Sequence, residues 1–258
     1  MIDFQAAPLW MIFALSVVLV GGANEAGRYV RRRFQVDGDD NTATLEGSVL
    51  GMLGLMIGFS FAISVSNFDA RRDALLDEAN AIGTTGLRAR LLPAPHNREV
   101  LDLLREYTKL RVDVAASTRS MAALDKLIDR SNTIHEALWQ QAKAVAAKDP
   151  GMVPTGLFIQ SLNDMIDSHL KRLTAARVRL PGMVLFTLYG IAAVAAGLVG
   201  YTTGLTARRA ILPTYVVSAV AVAVILLVAD LDRPDAGFTR VDQQPMIETA
   251  KGLAGYKD

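Results

Sequence analysis

At 258 residues, 51% of them hydrophobic and only 7% aromatic, with a mean hydropathy of +0.27, the chain has the composition of a membrane protein. Its formal charge of +1, from 27 basic against 26 acidic residues, provides no field for nucleic acid, and no nucleic-acid partner is expected. With no cysteine there is no disulfide framework, no thiolate nucleophile and no sulfur-ligated metal.

The first apolar run, near residues 6 to 23, follows a start, Met1 to Ala7, without a basic residue. At about eighteen residues it is longer than a signal-peptide core and reads as a retained membrane span. A polar loop is expected from Asn24 to Thr42, where Arg28 and the cluster Arg31, Arg32, Arg33 suit a membrane-proximal anchor. The second run covers residues 47 to 65. No breaker follows it, so Ala43 to Leu92 reads as one helix of about fifty residues, roughly 75 Å at 1.5 Å per residue.

From about Asn67 to Pro181 nothing is long enough to span a bilayer, and Pro93, Pro95, Pro150 and Pro154 divide the stretch into helical pieces. Each piece has one apolar face to bury: Val100, Leu104, Tyr107, Leu110 and Val114 in one, Leu124, Leu127, Ile128, Ile134, Leu138 and Val145 in the next. Thr155 to Leu180 leads into the third run, 182 to 204, with a kink expected at Pro181 and Gly182. A tight turn carrying Arg208 and Arg209 precedes the fourth run, 210 to 229.

The expected fold class is therefore all-α: four transmembrane helices in two hairpins flanking a water-soluble helical domain, the second and third spans continuing into that domain. The divisions fall at 1–66 for the first hairpin, 67–181 for the helical domain, 182–230 for the second hairpin and 231–258 for a C-terminal tail. The lipid bilayer is the expected partner. The short loops holding Arg28 to Arg33 and Arg208 to Arg209 share a side, which the positive-inside rule makes cytoplasmic, although Arg71, Arg72, Lys171, Arg172, Arg177 and Arg179 flank the opposite side.

In the second span Gly47, Gly51, Gly54 and Gly58 fall within about sixty degrees of one another on a helical wheel, a face that invites close helix packing. The opposite face carries Val49, Leu53 and Met56, then Ser60, Ser64, Asn67 and Arg71. With several copies around an axis, that face would form a hydrophobic constriction followed by hydroxyls and a ring of cations favouring anions. The alternative is that Ser60 and Ser64 bond back to helix carbonyls while Arg71 snorkels to headgroups. A second polar stripe, Gln160, Asn163, Asp164 and Asp167, is spaced to meet Arg71, Arg72, Arg88 or Arg90 in a network that sets helix register.

Asp230, Asp232 and Asp235 lack the spaced loop of a calcium site and read as solvated interfacial charges. His96, His135 and His169 are scattered, and Trp139 stands where a zinc-protease motif needs its second histidine. No phosphate loop or dinucleotide fingerprint occurs; Gly197, Gly200 and Gly204 lie inside an apolar span. No catalytic residue, metal site, cofactor or enzyme activity is expected.

The series Leu55-Met56-Ile57-Gly58-Phe59-Ser60-Phe61-Ala62, Asp69-Ala70-Arg71-Arg72 and Glu78-Ala79-Asn80-Ala81-Ile82-Gly83-Thr84 resembles the bestrophin-like membrane proteins of bacteria. Leu91-Leu92-Pro93, Tyr107 with Arg111, Phe158-Ile159-Gln160-Ser161-Leu162-Asn163, and Leu231-Asp232-Arg233-Pro234 with Gly237 and Gln244-Pro245 extend the resemblance over nearly the whole chain. It implies a multi-pass protein of the bacterial inner membrane, distantly similar to bestrophins, which are pentameric anion channels whose second span forms a neck of bulky apolar side chains. Leu53, Met56, Ile57, Phe59 and Ile63 are the corresponding neck candidates here, with chloride or another anion as the permeant species. The acidic calcium clasp of bestrophins has no recognisable counterpart. A different function, a membrane-anchored sensor or scaffold whose helical domain binds a partner or ligand, fits the same residues without a pore.

Overall fold

A computed structural model describes residues 8–34, 40–117, 121–148, 151, 153–204, 211–234 and 237–256. Among them are eight α-helices: α1 (Leu9–Phe34), α2 (Asp40–Ala89), α3 (His96–Ser117), α4 (Met121–Lys148), α5 (Val153–Arg177), α6 (Gly182–Thr202), α7 (Ile211–Leu231) and α8 (Gln244–Ala254). The described residues contain no strand. Four helical stretches are long and apolar enough to cross a membrane, beginning at Leu9, Thr42, Val153 and Thr214. Arg208, Arg209 and Asp235 lie outside the described residues, as do the side chains of Val114 and Leu124.

The chain divides into two compact units. The first comprises residues 1–68 and 179–240, the second 69–178 and 241–258. The 231–258 stretch that reads as a tail in the sequence is thus shared: its first part closes the first unit, and α8 packs on α3 in the second.

In the first unit α1 packs chiefly along α6, and also on α7. Glycines let the backbones of α1 and α6 touch. A Cβ on Gly27 would lie 2.0 Å from the carbonyl oxygen of Gly197, and one on Gly200 would lie 2.0 Å from that of Asn24. Only a residue without a side chain fits at either place. Within the protomer close backbone contact is made at these glycines, while at Gly47, Gly51, Gly54 and Gly58 an added Cβ would meet none of the described residues within 4 Å. The core around this contact joins Val20, Leu53, Leu188, Ala192, Ala195, Ala196, Val222 and Ile225.

The polar loop expected from Asn24 is helical as far as Phe34. Its basic residues bind the far end of α6: Arg31 lies 5.0 Å over the Tyr201 ring, and Arg32 Nε donates to the Gly204 carbonyl at 3.2 Å. Cations suit a helix C-terminus, whose last carbonyls have no partner within the helix.

At the expected kink, α5 ends at Arg177 and α6 begins at Gly182, so the helix breaks outright. Leu180 N–H, which has no helical acceptor there, donates to the Asp232 carboxylate at 2.7 Å. Asp230 does the same for the chain beyond α7, accepting from Phe238 N–H at 2.8 Å and Thr239 N–H at 2.9 Å. Both aspartates are buried, so the solvated charges expected at this end of α7 are instead structural acceptors.

In the second unit, one face of each helix closes on a common core of Ile82, Leu101, Leu104, Tyr107, Ile134, Leu138, Phe158, Leu162 and Met165, with Met246 and Leu253 contributed by α8. Fully burying each large apolar side chain contributes about 1.5–3 kcal/mol. The apolar period of the sequence marks the inward face correctly at Val100, Leu104, Ile134, Leu138 and Val145, all buried.

Candidate functional site

Two places hold residues of functional interest: the membrane-length half of α2 and the interior of the second unit. Along α2 the inward stripe is Leu53, Ser60 and Ser64, all buried, with Met56 and Ile57 partly buried against the first unit's core. Neither serine hydroxyl has a hydrogen-bond partner among the described residues, so the bond back to a helix carbonyl expected of them is not made. Arg71 is likewise buried, at 6% exposure, while Asn67 is half-buried and Arg72 is exposed.

A side chain enclosed by its own chain is not available to line a passage between copies. Leu53, Ser60, Ser64 and Arg71 are buried within the protomer, whereas Phe59 and Ile63 point outward, 60% and 46% exposed. The physical reason lies in the glycines. With no intrachain neighbour against Gly47, Gly51, Gly54 or Gly58, that side of the helix is the free one. It carries Gly51, Leu55, Gly58, Phe59 and Ala62, all exposed. Of the four membrane-length helices, α2 is the least enclosed, 17% buried over its most apolar window against 39% for α7.

The stripe Gln160, Asn163, Asp164 and Asp167 is exposed. Asp164 and Asp167 line a polar groove of about 570 Å³ with Asp77, Asn80, Thr84 and Lys171. Two ion pairs between α2 and α5 run with the opposite polarity to that expected, acids on α2 and bases on α5. Lys171 Nζ reaches Asp77 at 2.6 Å, and Arg172 Nη1 reaches Glu78 at 2.6 Å. Arg88 takes a backbone carbonyl, that of Leu157, at 2.8 Å.

The second place was not assembled from the sequence. Glu78 of α2 is fully buried and surrounded by donors from two other helices. Tyr107 Oη donates to its Oε1 at 2.6 Å, Arg111 Nη2 and Arg172 Nη1 to its Oε2 at 3.2 and 2.6 Å, and His169 Nδ1 lies 3.3 Å from Oε1. Arg172 Nη2 also donates to Gln243 Oε1 at 3.1 Å, which ties the residue ahead of α8 to the cluster. The His135 ring stands 4.9 Å from those of Tyr107 and His169, nearly perpendicular to the latter.

Charge compensation explains the arrangement. A carboxylate removed from water is tolerated when opposite charges and hydrogen bonds replace its hydration, and two guanidiniums and a phenol do so here. Burial, reinforced by the Glu78 carboxylate, pushes the Tyr107 hydroxyl well above its ordinary value, so it stays a donor. Burial, with the His169 ring and Arg111 acting in the same direction, lowers His135 to about 4. Among the described residues no group of three or more metal-ligating side chains is present.

Comparison with known proteins decides the family. The model of the Bestrophin-like domain matches residues 14–246. The chain belongs to the bestrophin-like family. No functionally curated protein matches the sequence. Among solved structures it is similar to a bacterial bestrophin homologue from Klebsiella pneumoniae, in a single-residue variant, at 15% identity and a TM-score of 0.72, over 97% of this chain and 100% of that one. A second structure of a homologue from that organism gives 15% identity and a TM-score of 0.70 over 94% and 96% of the two chains. A structure described as a membrane protein variant gives 13% and 0.72 over 96% and 98%. At these identities the likeness establishes the fold. Together with the four apolar helices, membership makes this bestrophin-like chain a membrane protein.

Proposed function

We propose that the protein is a homo-oligomeric ion channel of the bacterial inner membrane, five copies by resemblance to bestrophins, with the outward face of α2 turned to the axis. The observation that carries this is the uncovered face of α2: Leu55, Phe59 and Ile63 stand at successive four-residue steps, 59%, 60% and 46% exposed, beside glycines where an added Cβ would meet none of the described residues within 4 Å. Rows of this kind around an axis make a constriction that gates by dewetting, and bare glycines let neighbouring helices approach closely.

Family resemblance implies anions, but the exposed charges on α2 favour cations. On an α-helix Asp69, Asp73 and Asp77 fall on the same side as Leu55 and Phe59, and all three are exposed. Arg71, on which an anion preference would rest, is buried. Rings of carboxylates select cations.

The test is ion flux through purified protein in liposomes, with reversal potentials in a potassium chloride gradient. Wild-type protein is expected to conduct, Phe59→Ala and Leu55→Ala to raise the leak severalfold, and Asp73→Asn to move the reversal potential away from that of potassium. No flux across a range of pH, calcium and voltage, in wild type and variants alike, would shift the assignment to a membrane-anchored sensor or scaffold. A reversal potential at the chloride value would restore the anion preference.

A further inference from the structure

The buried cluster of the second unit contains two imidazoles that the channel reading does not use. Tyr107 has a single hydroxyl proton, and at 2.6 Å Glu78 Oε1 takes it. His169 Nδ1, 2.9 Å from the same hydroxyl oxygen, must therefore be the donor in that contact, which assigns its proton to Nδ1. Its other nitrogen, Nε2, is buried without a hydrogen-bond partner, as is His135 Nε2. Both rings are buried, 4% and 7% exposed for His169 and His135.

The groups that act on His135 are Glu78 from α2, Tyr107 and Arg111 from α3, and His169 from α5, with Arg172 of α5 paired to Glu78 behind them. One carboxylate, Glu78, is set against two guanidiniums, Arg111 and Arg172, so positive charge already outweighs negative among them. Helix α4, which carries His135, packs on α3 and α5. Its position between the Arg111 guanidinium of α3 and the His169 imidazole of α5 makes it the element that an added charge would displace.

We propose that this cluster is an acid-sensitive switch: protonation of His135 places a second excess positive charge among Glu78, Arg111 and Arg172 and releases α4 from α3 and α5. The direction follows from linkage. His135, at about 4 in the folded chain against 6.5 in the unfolded one, binds its proton more readily when released. Its stabilising contribution is complete above pH 6.5 and is lost as the pH falls from there towards 4. His96 lies outside the cluster but bonds the same helix α4, with Nδ1 2.7 Å from Gln141 Oε1 and Nε2 3.1 Å from Lys148 Nζ, so His96→Gln tests whether that second contact, rather than His135, carries the loss.

Hydrogen–deuterium exchange of the full-length protein in detergent, corrected for the intrinsic pH dependence of exchange, reads the switch in peptides covering residues 125–147. Wild type and His96→Gln are expected to lose protection there by about tenfold or more between pH 7.5 and 4.5. His135→Gln and His135→Phe, which cannot take the proton, are expected to keep it. Retention of protection by wild type at pH 4.5, or equal loss in both His135 variants, overturns the switch. If those variants are already open at pH 7.5, NMR titration of the His135 ring in wild type decides. A value well below 6.5 supports the proposal and an ordinary one overturns it. None of these readouts depends on conduction.

Discussion

The two units fill their interiors by opposite means. In the first, side chains are removed until helix backbones meet: Gly27 lies against Gly197, and Gly200 against Asn24, with alanines at 192, 195 and 196 beside them. In the second, long polar side chains reach a common centre, where Glu78 gathers Tyr107, Arg111, His169 and Arg172. The difference matches the expected solvents. In a lipid environment there is little hydrophobic gain from helix contact, so close van der Waals packing through small residues holds helices together. In water a charged centre can be buried at the cost of its hydration only when almost every lone pair is met, and such a centre is then sensitive to the loss of any member.

That contrast can be broken most sharply at Glu78. Glu78→Ala leaves Arg111 and Arg172 buried without their anion and is expected to cost about 3–5 kcal/mol, seen as a large fall in the thermal midpoint of the detergent-solubilised protein. A smaller loss, about 1–3 kcal/mol, is expected from Gly200→Ala, because the new Cβ collides with the Asn24 carbonyl and backbone must shift to admit it. By contrast Gly54→Ala, in open space on α2, should leave the protomer's midpoint within about 0.5 kcal/mol of wild type. If Gly54→Ala lowers the oligomer mass in native mass spectrometry without changing that midpoint, the free face of α2 is an intersubunit one. An effect between those of Gly200→Ala and Gly54→Ala is expected at Arg105, whose Nε and Nη2 cap α8 through the carbonyls of Leu253 and Tyr256 at 3.1 and 2.7 Å. Arg105→Ala should cost about 1 kcal/mol and raise exchange within residues 244–254.

Much of the architecture is legible in the residues because apolar length and helix breakers are local properties. The absence of proline and paired glycine through residues 43 to 89 suffices for a single 50-residue α2. The inward face of α2 is not legible in the same way. In a span both faces are apolar, and glycine can mark either a contact made or a contact still open. Here the contacts made are at Gly27, Gly197 and Gly200, while the contiguous run of glycines in α2 is the open one.

The buried cluster was hidden by dispersion, since Glu78, Tyr107, Arg111, His135, His169, Arg172 and Gln243 are spread over some 165 positions and each stands alone in its own helix or beside one partner. One clue was available. Tyr107 lies in the apolar row of α3 with Arg111 one turn on, and a cation on a buried face requires an acid elsewhere in the fold. Which acid supplies it depends on helix packing, and Asp164 and Asp167 on α5 remain at the surface.

The pair Asp230 and Asp232 has a consequence for how the chain is tethered. After α2, the polypeptide passes between the units twice more, near residue 179 on the way in and near residue 240 on the way out. Asp232 holds the incoming strand at Leu180, and Asp230 the outgoing one at Phe238 and Thr239. Two carboxylates two residues apart therefore moor both passages to a single end of α7, so that a pull on either passage is felt first at the same short stretch of chain.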